Sequence, residues 1–197
     1  MPTTLTDIEG FLYHAELRYQ KHPQVADAIL TGFDTANYTN SRGEKNITLV
    51  VELSEEGRYI SIFAPQAFTV SGEHTGAFLH TCAIIQFGTK LIQFEYDQRD
   101  GEVRPKVEFP LEDSALTQAQ LLRCIRGLVQ IVDLEYERLA RAASDGTIPD
   151  AIGPMAQLSN GLDEALGAMP EAVRRDLLRR LQRLQGGDDR PGGDEEA

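Results

Sequence analysis

From Leu5 to Tyr19 apolar side chains recur three and four residues apart, at Leu5, Ile8, Phe11, Leu12, Ala15 and Tyr19. This period predicts a helix lying with one face on a core, and Pro23 bars its extension. Between Val25 and Tyr38 the pattern loosens into a run bearing Thr, Phe and Tyr, read as an irregular first strand. Alternation becomes strict at Ile47, Leu49, Val51 and Leu53, stops at Ser54-Glu55-Glu56-Gly57, and gives way to the β-rich run Tyr59-Ile60-Ser61-Ile62-Phe63. Two β-rich runs around a turn predict a hairpin.

Pro65 closes that second strand, and Ser71-Gly72 marks a loop. Ala77 to Phe87 is then an apolar block ended by Gly88, a natural helix C-cap. Phe78, Leu79, Cys82, Ala83, Ile84, Ile85 and Phe87 surround most of this helix. A helix apolar nearly all round must be covered on more than one side, by its own sheet and loops or by a second subunit. A second hairpin follows: Ile92, Phe94 and Tyr96, a turn over Asp97 to Gly101, then Val103, Val107 and Phe109. Pro105 cannot donate to a ladder, so it puts the return strand at an edge or marks a bulge. Thr117 with Gln120 three residues on forms a capping box. The helix it opens reaches about Ala143, with Leu121, Leu122, Ile125, Leu128, Val129, Val132, Tyr136 and Leu139 as its buried stripe.

The predicted fold is α+β in the order α-β-β-β-α-β-β-α, a mainly antiparallel five-stranded sheet with helices packed on one face. This domain takes residues 1–145. Residues 146–185 read as a linker, rich in Gly and Pro near 146–154, followed by C-terminal helices with Leu158, Leu162 and Leu166 and then Val173, Leu177, Leu181 and Leu184 as stripes. Residues 186–197 are Gly, Asp, Glu and Pro-rich, an acidic tail with too little apolar surface to offset ordering entropy.

Charge narrows the class of partner. The formal net charge is -12. Residues 1–145 hold 13 Lys and Arg against 21 Asp and Glu, net -8, so the acidity is not confined to the tail. General attraction to nucleic acid or anionic lipid rests on excess cations, so a protein partner is favoured. No stretch nears the roughly 20 apolar residues of a membrane span, and the first residues lack the basic and apolar regions of a secretory signal. With only Cys82 and Cys124, both in apolar segments, the expectation is a cytoplasmic protein with reduced buried thiols.

The segment Phe109-Pro110-Leu111-Glu112-Asp113, followed by Leu116-Thr117 and a long helix and preceded by Gly101-Glu102-Val103, resembles the end of a YbjN domain. That family is similar in fold to type III secretion chaperones, and the element order from Leu5 to Ala143 matches both. The resemblance implies small dimeric proteins that hold or regulate other proteins, with no cofactor. It also implies a dimer contact on the middle helix, here Ala77 to Phe87.

The chain carries no catalytic signature. His80 and Cys82 point to nearly opposite faces of a helix, and with His74 they lack metal-ligand spacing. Glu95 and Glu108 could oppose each other as paired carboxylates, but Arg104 and Lys106 share their face, so cross-strand ion pairing is the simpler account. Gly88-Thr89-Lys90 lacks the glycines of a phosphate loop and there is no GxSxG elbow. The expected function is therefore a non-enzymatic protein-binding module, a chaperone-like adaptor or regulator acting as a homodimer on a client protein. Phe78, Leu79, Ile84 and Phe87 are candidates for self-association, with Phe63 and Phe68 on the client side. A rival reading rests on Arg174, Arg175, Arg179, Arg180 and Arg183, which crowd the last helix. They would make it a docking helix contacting nucleic acid or a signalling partner.

Overall fold

Helix α1 (Leu5–His14) opens on a capping box in which Thr4 Oγ1 accepts the Asp7 N–H and the Asp7 carboxylate accepts that of Thr4. It ends sooner than its periodicity predicts. Glu16 adopts φ 57°, and the Leu17 N–H reaches back to the Leu12 carbonyl at 3.0 Å, a left-handed termination of the kind glycine usually supplies. Tyr19 consequently starts a strand instead of closing a helical stripe. The computed structural model describes residues 2–148, which lie within one compact unit of the chain, Met1–Pro154. The expected linker beyond 148, the C-terminal helices with Arg174, Arg175, Arg179, Arg180 and Arg183, and the acidic tail lie outside the described residues.

Seven strands, not five, make one antiparallel sheet: β1 (Tyr19–Lys21), β2 (Ala28–Asp34), β3 (Asn46–Ser54), β4 (Tyr59–Phe63), β5 (Phe68–Thr69), β6 (Gln93–Tyr96) and β7 (Glu102–Pro110). The two extra strands, β1 and β5, have three and two residues, too few to show an alternation. The spatial order is β1-β2-β3-β4-β7, with β7 flanked on its far side by β6. Lys106 is opposed by both Phe63 and Gln93, and Val103 by both Phe68 and Tyr96. It follows that β5 continues the line of β4 after a break at residues 64–67. Pro105 faces that break, where its absent N–H costs no ladder bond and its carbonyl accepts the Ala64 N–H. The return strand is thus not an edge; β6 and β1 are.

Helices α2 (Thr75–Gly88) and α3 (Gln118–Asp145) complete the fold. Thr117 and Gln120 cap α3 reciprocally as their spacing predicts, and Gly146 ends it in the left-handed region at φ 73°. Gly88 behaves differently: it stays helical, and the extended Thr89 ends α2 while its hydroxyl donates to the Ile85 carbonyl.

All three helices pack on the same side of the sheet. Ile29, Leu49, Val51, Ile60 and Ile62 face Ile8 and Leu12 of α1 and Leu121, Ile125, Leu128 and Val132 of α3. Val70 and Val103 meet Phe78, Cys82 and Ile85 of α2 and Leu139 of α3 in an adjoining cluster. Each fully buried aliphatic side chain contributes about 1.5–3 kcal/mol, so this helical side dominates the stability. The register row Leu30, Val50, Phe63, Lys106 and Gln93 crosses the opposite side, where no helix packs among the described residues.

Candidate protein-binding site

The side of α2 that turns from the core carries the most exposed large hydrophobic side chain of the described residues. Phe87 is 96% exposed. His80 and Ala83, seven and four residues earlier, are exposed on the same side, whereas Phe78, Thr81, Cys82 and Ile85 are buried against α3 and the sheet. The nearly uniform apolarity of this helix therefore divides into a covered side and one that ends in a phenylalanine in water. Leu79 and Ile84 lie between the two, half-buried.

Phe78 and Phe68 do not offer surface. Phe78 is 1% exposed, and the half-buried Phe68 ring sits 5.4 Å from it and 5.7 Å from Tyr38, joining the two core clusters. The break between β4 and β5 puts Phe68 on the helical side, which its sequence neighbourhood does not reveal. Phe63 does face the open side, where the Arg104 guanidinium lies over its ring at 4.9 Å.

The open side bears an ion network next to that ring. Glu95 Oε2 accepts from Arg104 Nε at 2.6 Å, Lys106 Nζ lies 3.0 Å from Glu95 Oε1 and 2.5 Å from Glu108 Oε2, and Gln93 and Ser61 also donate to Glu108. Burial raises the Glu95 pKa, but the cations outweigh it and hold the group below its ordinary value. The Lys106 hydrogen bond does the same for Glu108. An acid/base pair needs its two pKa values pushed apart; here both move down, as the cross-strand pairing account expects.

Sequence alternation missed an apolar groove of about 530 Å³ between α3 and the segment joining α2 to β6. Leu91 and Ile92 form one wall, Cys124, Leu128 and Ile131 the other, with Val107 of β7 between them. Lys90 and Arg123 are its charged lining residues, one from each wall. Leu91 is 62% exposed and holds φ 69°, a region that non-glycine residues seldom occupy. On α3, an added Cβ at Gly127 would find no atom within 4 Å, so glycine leaves the groove open there. A lone glycine inside α3, between Ile125 and Leu128 of the stripe, was the sequence signal of this feature.

His74, His80 and Cys82 do not form a site. Cys82 is buried, with its thiol pushed up to about 12 by desolvation, and His80 is exposed on the other side. Among the described residues no group of three or more His, Cys, Asp or Glu could hold a metal ion, and no helix is long and apolar enough to cross a membrane.

No protein-family model matches the chain, and no curated protein matches it. Among solved structures the chain is similar to the crystal structure of YbjN, a proposed transcription regulator from E. coli. The two share 11% identity, and the match has a TM-score of 0.49 over 68% of this chain and 90% of that one.

Proposed function

We propose that the domain is a non-enzymatic protein-binding module that self-associates as a homodimer through the outer side of α2 and holds or regulates a client polypeptide. The observation that carries this reading is Phe87. Burying a phenylalanine contributes about 1.5–3 kcal/mol, and this one, 96% exposed, gains none of it within the protomer. The exposed Gly76 and Ala83 on the same helix are small, so a second helix could approach its backbone closely.

Light scattering on the full chain tests the reading. The wild-type mass should be twice the 21.8 kDa of one chain, and Phe87→Ser should reduce it to one while leaving the circular dichroism spectrum unchanged. Phe87 is the better probe than Ile84, because Ile84→Asp also loads a half-buried position of the core side. A wild-type monomer, or a Phe87→Ser dimer, overturns the self-association.

A further inference from the structure

We infer that the groove between the α2–β6 connection and α3 docks an amphipathic protein segment whose leucine-like side chains are flanked by Asp or Glu. The inference rests on the protein-binding reading above and names the client surface and its chemistry.

Charge sets the choice of occupant. The described domain is acidic, yet the charged side chains lining this groove are the cations Lys90 and Arg123. Both are exposed, and neither has an ion-pair partner among the described residues. Two free cations bordering an apolar strip match an apolar segment with acids on both sides, and they disfavour a basic one. A fatty acid fits less well, since its single carboxylate would satisfy one wall and leave the other cation idle.

The groove walls supply two further reasons. Leu91 holds its side chain largely in solvent, 62% exposed, from a left-handed backbone conformation that non-glycine residues seldom occupy. Opposite it, the bare backbone at Gly127 leaves room for an incoming side chain to approach α3. A volume of about 530 Å³ accommodates a few side chains of a helix laid in the groove, not a folded domain.

The test uses the full chain and two fluorescein-labelled amphipathic peptides with the same leucine stripe, one flanked by glutamates and one by lysines, followed by fluorescence polarisation. The glutamate peptide should bind at least tenfold tighter than the lysine peptide. The double variant Lys90→Glu with Arg123→Glu should reverse that preference, and Leu91→Ser should weaken the glutamate peptide about tenfold with the melting curve unchanged. A preference indifferent to the charge reversal, or no binding of either peptide, overturns the proposal. So does oleate binding that depends on these residues without peptide binding. Sedimentation of the same samples separates this surface from the dimer. If Leu91→Ser dissociates the wild-type dimer, a second copy covers the groove and the proposal fails. If Phe87→Ser fails to dissociate it while peptide binding still requires Leu91, only the self-association falls.

Discussion

Asp133 of α3 accepts the backbone N–H of Tyr38 through Oδ1 at 2.8 Å, and the same carboxylate takes the N–H groups of Asn37 at 2.7 Å and Ala36 at 3.1 Å. One side chain thereby anchors the loop after β2 to a helix almost a hundred residues later. The anchored residue matters to the core. The Tyr38 hydroxyl donates to the Ala67 carbonyl at the β4–β5 break, and its ring meets Phe68 and Tyr136 edge-on.

Asp133→Ala should cost about 1–3 kcal/mol, the usual loss when N–H groups forfeit a charged acceptor, and Asp133→Asn nearly as much because its amide turns two further N–H donors toward the loop. Burial raises the Asp133 pKa, but the three N–H groups outweigh it and hold the group below its ordinary 3.8. A depressed native pKa stabilises the fold above the unfolded value, and that contribution is lost as pH falls below it. Urea unfolding should therefore show a wild-type advantage over Asp133→Asn that is full near neutrality and shrinks below about pH 4. An advantage constant with pH would exclude the anchoring charge.

Gly10 in α1 and Gly127 in α3 sit inside helices with no atom within 4 Å of an added Cβ. Replacing each by Ala should raise stability by about 1 kcal/mol, the ordinary helix-propensity difference. At Gly127 the same methyl narrows the groove, so a gain in stability accompanied by weaker peptide binding is the expected pairing. A loss of stability at Gly127→Ala would mean that an unseen contact occupies the space.

Gly57 and Gly43 both hold φ near 80°, but only one is crowded: a Cβ on Gly57 would lie 2.0 Å from the Thr3 carbonyl oxygen, and one on Gly43 meets nothing within 4 Å. Gly43→Ala should cost only the left-handed penalty of about 1–2 kcal/mol. Gly57→Ala must also push away the Thr3 backbone, whose N–H bonds the Gly57 carbonyl and whose hydroxyl accepts from Leu116. A cost of roughly 3 kcal/mol or more is expected there. Equal losses in chemical denaturation would contradict the crowding.

The parts of this fold that repeat were legible in the residues. Ile47 to Leu53 alternated over enough positions to fix a strand, and the Thr117–Gln120 pair located the start of α3 to the residue. What failed had no local signal. Tyr19 suits a helical stripe and a strand equally, and only the left-handed Glu16 decides between them. Phe68 and Phe78 look like exposed-patch aromatics until the β4–β5 break turns one toward the other. The groove is a product of three separate segments of the chain, and Leu91 belongs to none of the periodic runs that predicted the elements. Periodicity reports which face of an element is apolar; it cannot report which apolar face its neighbours leave uncovered.

Lys106 offers a test of the open-face network. Its side chain is 13% exposed and lies between Glu95 and Glu108, so Lys106→Met keeps most of the length and removes the charge between two carboxylates. The loss at neutral pH should be about 1–3 kcal/mol, the scale of hydrogen bonds to charged groups. Its pH dependence has two flanks. Glu95 and Glu108 are held below their ordinary 4.5, so their share of the stabilisation is present above that value and disappears as pH falls through the lowered native values. Burial lowers the Lys106 pKa, but Glu108 and Glu95 outweigh it and raise the group above its ordinary 10.5, so its share is present below that value and is lost as pH climbs through the raised one. The difference between wild type and Lys106→Met should therefore form a plateau from about pH 5 to pH 10 and narrow on either side. Two carboxylates sharing a proton, as a catalytic pair would, have one pKa raised and would give a difference that changes sharply within that plateau.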